Sequence, residues 1–147
     1  MKKLILIAII ATVTLAAYSS PKVTDYVVTE DGVTYFTKMR YGINAYLVCT
    51  NEDGSIVKYT REEILSFRKN GEVFKKNALI KNGKPCEECE FMKLVKTRHG
   101  VSLYTYECTN NRGNRILKCM VYKDDKFVLE VDEDNYTQIL EFFKKIY

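Results

Sequence analysis

The chain has 147 residues and a formal net charge of +4. Positive and negative residues are interspersed and form no basic stripe, which argues against a nucleic-acid or anionic-membrane partner. Five cysteines, Cys49, Cys86, Cys89, Cys108 and Cys119, leave an odd thiol in any scheme of internal bridges.

Met1-Lys2-Lys3 is a charged start, and Leu4 to Ala17 is apolar except for Thr12 and Thr14. That run falls short of the ~18 apolar residues a spanning helix needs, so it reads as a secretory signal peptide. The expected organisation is a signal peptide over residues 1–19 and a single β-rich domain over 20–147, with no membrane span after leader cleavage. Small residues at Ala17 and Ser19 favour cleavage after Ser19, with Ala17 close behind. Leu15-Ala16-Ala17 and Ser19-Ser20 resemble the flanks of a bacterial lipoprotein signal, but Tyr18 stands where the lipidated cysteine would be. The expectation is therefore an exported protein, periplasmic or secreted, and not lipid-anchored. Loss of Lys2 and Lys3 with the leader lowers the formal charge to +2. A mature chain of about 130 residues is one domain, large enough to bury roughly two-thirds of its unfolded surface.

Glycines punctuate the mature chain. Asp31-Gly32, Asp53-Gly54, Asn70-Gly71, Asn82-Gly83 and His99-Gly100 supply the positive φ angles that tight hairpins require. Val33, Tyr35, Thr37 and Met39 alternate with Thr34, Phe36, Lys38 and Arg40, the period of a strand. Ala45 to Cys49 is a continuous apolar run, as in a strand covered on both faces, and Ser55 to Tyr59 is short and β-branched. Thr60-Arg61-Glu62-Glu63 has the spacing of a capping box and predicts a short mid-chain helix through Ile64 and Leu65.

Phe91 to Val131 is the organising stretch. Phe91 to Val95, Val101 to Tyr106, Ile116 to Tyr122 and Phe127 to Val131 are apolar segments separated by turns at His99-Gly100, Asn110 to Asn114 and Asp124-Asp125. They predict a β-meander. Phe91 to Lys96 also fits a helix, and the turn that leads straight into Val101 favours the strand. Asp132, Glu133 and Asp134 place negative charge at a helix start. Tyr136, Ile139, Leu140, Phe143 and Ile146 then make one apolar helical face. The predicted fold class is α+β: an antiparallel meander-rich sheet, a short mid-chain helix and a C-terminal amphipathic helix lying across the sheet.

Phe91-Met92-Lys93-Leu94-Val95 followed by Gly100 to Tyr106 resembles a pattern in small exported proteins of the Bacteroidetes. Those proteins also show a segment like Asp53-Gly54 to Tyr59 with an acidic turn like Glu62-Glu63-Ile64 after it. The resemblance covers about half the mature chain. It implies a β-rich fold in the cell envelope and assigns no functional residue.

Cys86-Glu87-Glu88-Cys89 is the most pointed motif. A redox dithiol needs a lowered thiol pKa, and Glu87, Glu88 and Glu90 work against it. A zinc site built on Cys86, Cys89, Cys108 and Cys119 would lack a second Cys-x-x-Cys knuckle. Disulfides among these four, with Cys49 buried as a small hydrophobe, are the expected arrangement in an oxidising compartment. His99, the single histidine, reads as a turn residue. Asp132 to Asn135 lacks the glycine and later glutamate of a calcium loop. Asn135-Tyr136-Thr137 matches a glycosylation sequon, which matters only in a eukaryotic secretory pathway. Tyr104 and Tyr106 share a strand face that Tyr122 adjoins. This is a possible binding face for a sugar or a protein, or else a set of cross-strand core pairs. No catalytic constellation and no cofactor motif stands out. The leading reading is a non-catalytic exported module that binds a protein or glycan. The alternative is a thiol redox or zinc protein using Cys86 and Cys89.

Overall fold

The computed structural model describes residues 24–144. The leader and its cleavage positions lie outside the described residues, as do Lys145 and Ile146.

The chain forms an eight-stranded antiparallel sheet and a three-stranded antiparallel sheet. β1 (Asp25–Thr29) and β2 (Gly32–Phe36) make the first hairpin. β3 (Lys38–Tyr41), β4 (Leu47–Thr50) and β5 (Ile56–Tyr59) make the small sheet. β6 (Ser66–Lys69), β7 (Glu72–Lys81), β8 (Lys84–Arg98), β9 (Val101–Thr109), β10 (Arg115–Lys123) and β11 (Lys126–Glu130) complete the large one. Its order is β11-β10-β9-β8-β7-β6-β1-β2. The predicted meander is the run from β8 to β11, and Phe91 to Lys96 is strand.

The turns follow from local chemistry. Asn70-Gly71, Asn82-Gly83 and His99-Gly100 all have positive φ at both positions, the signature of a tight hairpin turn that matches strand twist. A side chain at Gly100 would meet Asp124 Oδ1 at 2.8 Å as well as carry a φ of +75°.

Two expectations are corrected. The alternating stretch from Val33 to Arg40 is not one strand. It breaks at Thr37, whose N–H donates to Thr50 O at 3.0 Å, and the chain passes there from the large sheet to the small one. The mid-chain helix does not form either. Thr60 to Glu63 is a turn in which Glu63 Oε2 accepts from Thr60 N at 2.7 Å and from its hydroxyl at 3.0 Å. Only a few residues separate this cap from β6, and one helical turn fixes too many dihedrals for too few hydrogen bonds. The fold is therefore mostly antiparallel β, with a single helix among the described residues, α1 (Tyr136–Lys144).

The registers place Val27, Phe67, Phe74, Lys93, Thr105 and Cys119 in one row across six strands, hence on one face. The small sheet covers one end of that face. Its Met39, Leu47 and Cys49 join Val27, Phe36, Phe67 and Phe91 in a buried core. The other end carries α1, where Phe143 is buried and shares a small apolar cavity of about 110 Å³ with Leu103 and Cys119. Asp132 Oδ1 caps the start of α1 by accepting from Asp134 N and Asn135 N, each at 3.0 Å. At its end Lys96 Nζ donates to Phe143 O at 2.6 Å and Arg98 donates to Phe142 O. The opposite face holds a second core of Ile80, Met92, Tyr104, Tyr106, Met120 and Tyr122. The β7–β8 register shifts between Ala78 and Ile80, with the extra residues on β8 between Pro85 and Cys89, and Ile80 joins this second core.

Candidate functional site

The four cysteines expected to bridge are free, as is Cys49. Strand geometry explains this correction. Cys86 and Cys89 flank a register irregularity, where Ala78 pairs with Cys89 and Ile80 with Pro85, and they form no bond to each other. Cys108 lies opposite Ile116 while Cys119 lies opposite Thr105, three positions out of step and on opposite faces. Among the described residues no group of three or more His, Cys, Asp or Glu could hold a metal ion. Cys49 is fully buried in the first core, and burial followed by the nearby Asp25 carboxylate pushes its thiol up to about 12. Burial and then Glu130 raise Cys119 as well.

Tyr104, Tyr106 and Tyr122 do converge on one face, but as packing residues. Their exposures are 6%, 9% and 5%, and the rings of Tyr104 and Tyr122 meet edge to face at 5.4 Å. Burial, with Tyr104, Tyr106 and Cys89 nearby, pushes the Tyr122 hydroxyl up to about 12. An open platform for a sugar is not formed by these three. His99 sits at a hairpin turn with φ +49°, and Asp132 to Asn135 cap α1.

The surface that sequence reasoning missed is the outer edge of β2. Among the described residues β2 pairs with β1 alone, and it carries no charge, no proline and no bulge, the devices that usually blunt an edge. The direction of its free groups follows from the ladder. Leu65 N donates to Val28 O, so the polar groups of Val28 point to β6. Val33 lies opposite Val28 and Tyr35 opposite Tyr26, so their N–H and C=O groups point away from β1 into the open. The side chains of Val33 and Tyr35 are 52% and 59% exposed on one face, with Tyr26 edge-on to Tyr35 at 5.9 Å.

The other face of the same edge is acidic. Thr34 and Tyr59 line a cleft of about 520 Å³ together with Glu30, Asp31, Glu62 and Glu63. Among the described residues no lysine, arginine or histidine lines it. None of the four carboxylates forms a salt bridge with a described residue. The backbone and hydroxyl hydrogen bonds from Thr60 hold the Glu63 carboxyl below its usual range. The sequence contained one sign of this edge: the uncharged run Gly32 to Phe36, with apolar residues on both of its faces.

No helix among the described residues is long and apolar enough to cross a membrane. In comparisons with known proteins, the chain matches no family, no curated protein sequence and no solved structure.

Proposed function

We propose that this chain is a non-catalytic exported module, periplasmic or secreted and unlipidated, that binds a protein partner by strand addition at the outer edge of β2. The observation that carries the reading is the row of outward backbone groups on Val33 and Tyr35 beside their exposed side chains. An edge of this kind offers main-chain hydrogen bonds for affinity and alternate side chains for specificity. The burial of Tyr104, Tyr106 and Tyr122 favours a protein over a glycan as the partner. Export rests on the Met1 to Ser19 leader and on the resemblance to small exported Bacteroidetes proteins.

Two measurements test it. Mass spectrometry of fractionated cells is expected to find the mature N-terminus between Tyr18 and Ser20 without lipid. An intact Met1 on protein recovered from the cytoplasm would overturn the export half. A photo-crosslinking residue at Tyr35 is expected to give a discrete adduct that the Val33→Pro variant loses and that the same residue at Arg112 never gives. Equal adducts from both positions would overturn the binding half.

A further inference from the structure

From the two faces of the β2 edge we infer the chemistry of its partner: an extended segment in which cationic residues alternate with apolar ones. This inference rests on strand addition as proposed above and specifies what is added. A strand docked on β2 continues the large sheet at a spacing of about 4.8 Å, and its side chains leave alternately to the two faces. On the face of Val33 and Tyr35 they meet exposed apolar surface together with Tyr26, and Tyr35 also lines a pocket with Asn51, Glu52 and Asp53. On the face of Thr34 they meet the cleft of Glu30, Asp31, Glu62 and Glu63.

Four carboxylates line the cleft with no cation among its lining residues, Arg61 attracting Glu62 from outside it, and a lysine or arginine entering the cleft relieves the repulsion that remains. An acidic side chain there would add to it. Charge thus selects the partner's residue on one face and apolar burial selects it on the other. Opposite potentials of this kind act chiefly on specificity and association rate. The backbone ladder fixes which residues point where. The selection is therefore for an alternating pattern and not for cationic composition as such.

Fluorescence anisotropy on the mature chain tests this with short labelled peptides: one alternating lysine with valine, one alternating glutamate with valine, and the lysine–valine peptide N-methylated along one edge. The lysine–valine peptide is expected to bind about tenfold or more tightly than the glutamate–valine peptide, with the difference shrinking in high salt. N-methylation is expected to abolish binding without altering the protein. Glu62→Gln combined with Glu63→Gln is expected to narrow the gap between the two charged peptides. Val33→Pro, which removes an outward N–H and leaves the β1 ladder intact, is expected to abolish binding with an unchanged circular dichroism spectrum. Equal binding of both charged peptides would overturn the cationic inference while leaving strand addition standing. So would no binding of either peptide while the Tyr35 crosslink persists. Binding that survives N-methylation would overturn the inference, because the contact would not be a strand. A dimer in sedimentation that Val33→Pro dissociates would also overturn it, with a second copy as the occupant.

Discussion

Arg61 and Glu90 meet at 2.6 Å across 29 positions of the chain, tying the Thr60–Glu63 turn to β8. The same guanidinium donates to Cys89 O at 3.1 Å and lies over the rings of Tyr46 and Phe91 at 5.5 Å and 5.3 Å. Lys76 Nζ then donates to Arg61 O at 2.7 Å. The turn that replaces the expected helix is thus held by the adjacent strands β7 and β8.

The Arg61 and Glu90 side chains are each about one-third exposed or more, so their ion pair alone is worth no more than about 1 kcal/mol. Stacking on two rings and the packed stem add to it. Arg61→Ala is expected to lower stability by about 1–2 kcal/mol in a urea melt, and Arg61→Lys to recover only part. A loss indistinguishable from zero would mean that the turn is held by its own hydrogen bonds.

Phe143 anchors α1 over Leu103 and Cys119 at 5% exposure. Phe143→Ala is expected to cost about 3 kcal/mol or more, the usual range for a buried phenylalanine. A change below about 1 kcal/mol in denaturant would show that the helix is not docked.

The cysteines give a direct count. Unfolded, non-reduced protein is expected to alkylate at all five thiols. In the native state Cys89 is exposed and should react, whereas fully buried Cys49 should stay silent until the chain unfolds. Cys86→Ser and Cys89→Ser are each expected to shift stability by no more than about 0.5 kcal/mol. A loss of several kcal/mol from either, or fewer than five alkylated thiols by mass spectrometry, would mean that a bridge exists.

Alkaline pH should weaken the fold. Cys49, Tyr46 and Tyr122 are each pushed up to about 12, chiefly by burial. An unfolded cysteine titrates near about 8.5 and an unfolded tyrosine near about 10. As pH rises the unfolded chain releases these protons first and binds fewer than the native state, so the stability slope with pH is negative. The contribution is intact below about pH 8.5 and is lost as pH approaches about 12. Urea midpoints are expected to fall across that window, and Cys49→Ala should flatten its lower part. A midpoint that holds steady or rises would contradict this.

Short-range chemistry was legible in the sequence. Asn70-Gly71, Asn82-Gly83 and His99-Gly100 turn where their residues permit positive φ, and the apolar segments from Phe91 to Val131 became β8 to β11. Asp132 caps α1 for the same local reason. These features depend on residues a few positions apart, and so the sequence alone determined them.

What tertiary structure decided involves register and sheet order, which join residues far apart in the chain. The switch at Thr37 follows from its hydrogen bond to Thr50, which no local pattern marks. Cys108 and Cys119 fail to meet because the β9–β10 register sets them on opposite faces, although their spacing alone would allow a bridge. Tyr104, Tyr106 and Tyr122 became core because Met92 of β8 and Ile80 of β7 pack with them on one face. The open edge of β2 exists because β1 lies between β2 and β6, leaving Val33 and Tyr35 at the end of the strand order. Side-chain period shows that a strand has two faces. Only the assembled sheet determines which face is buried and which edge is left unpaired.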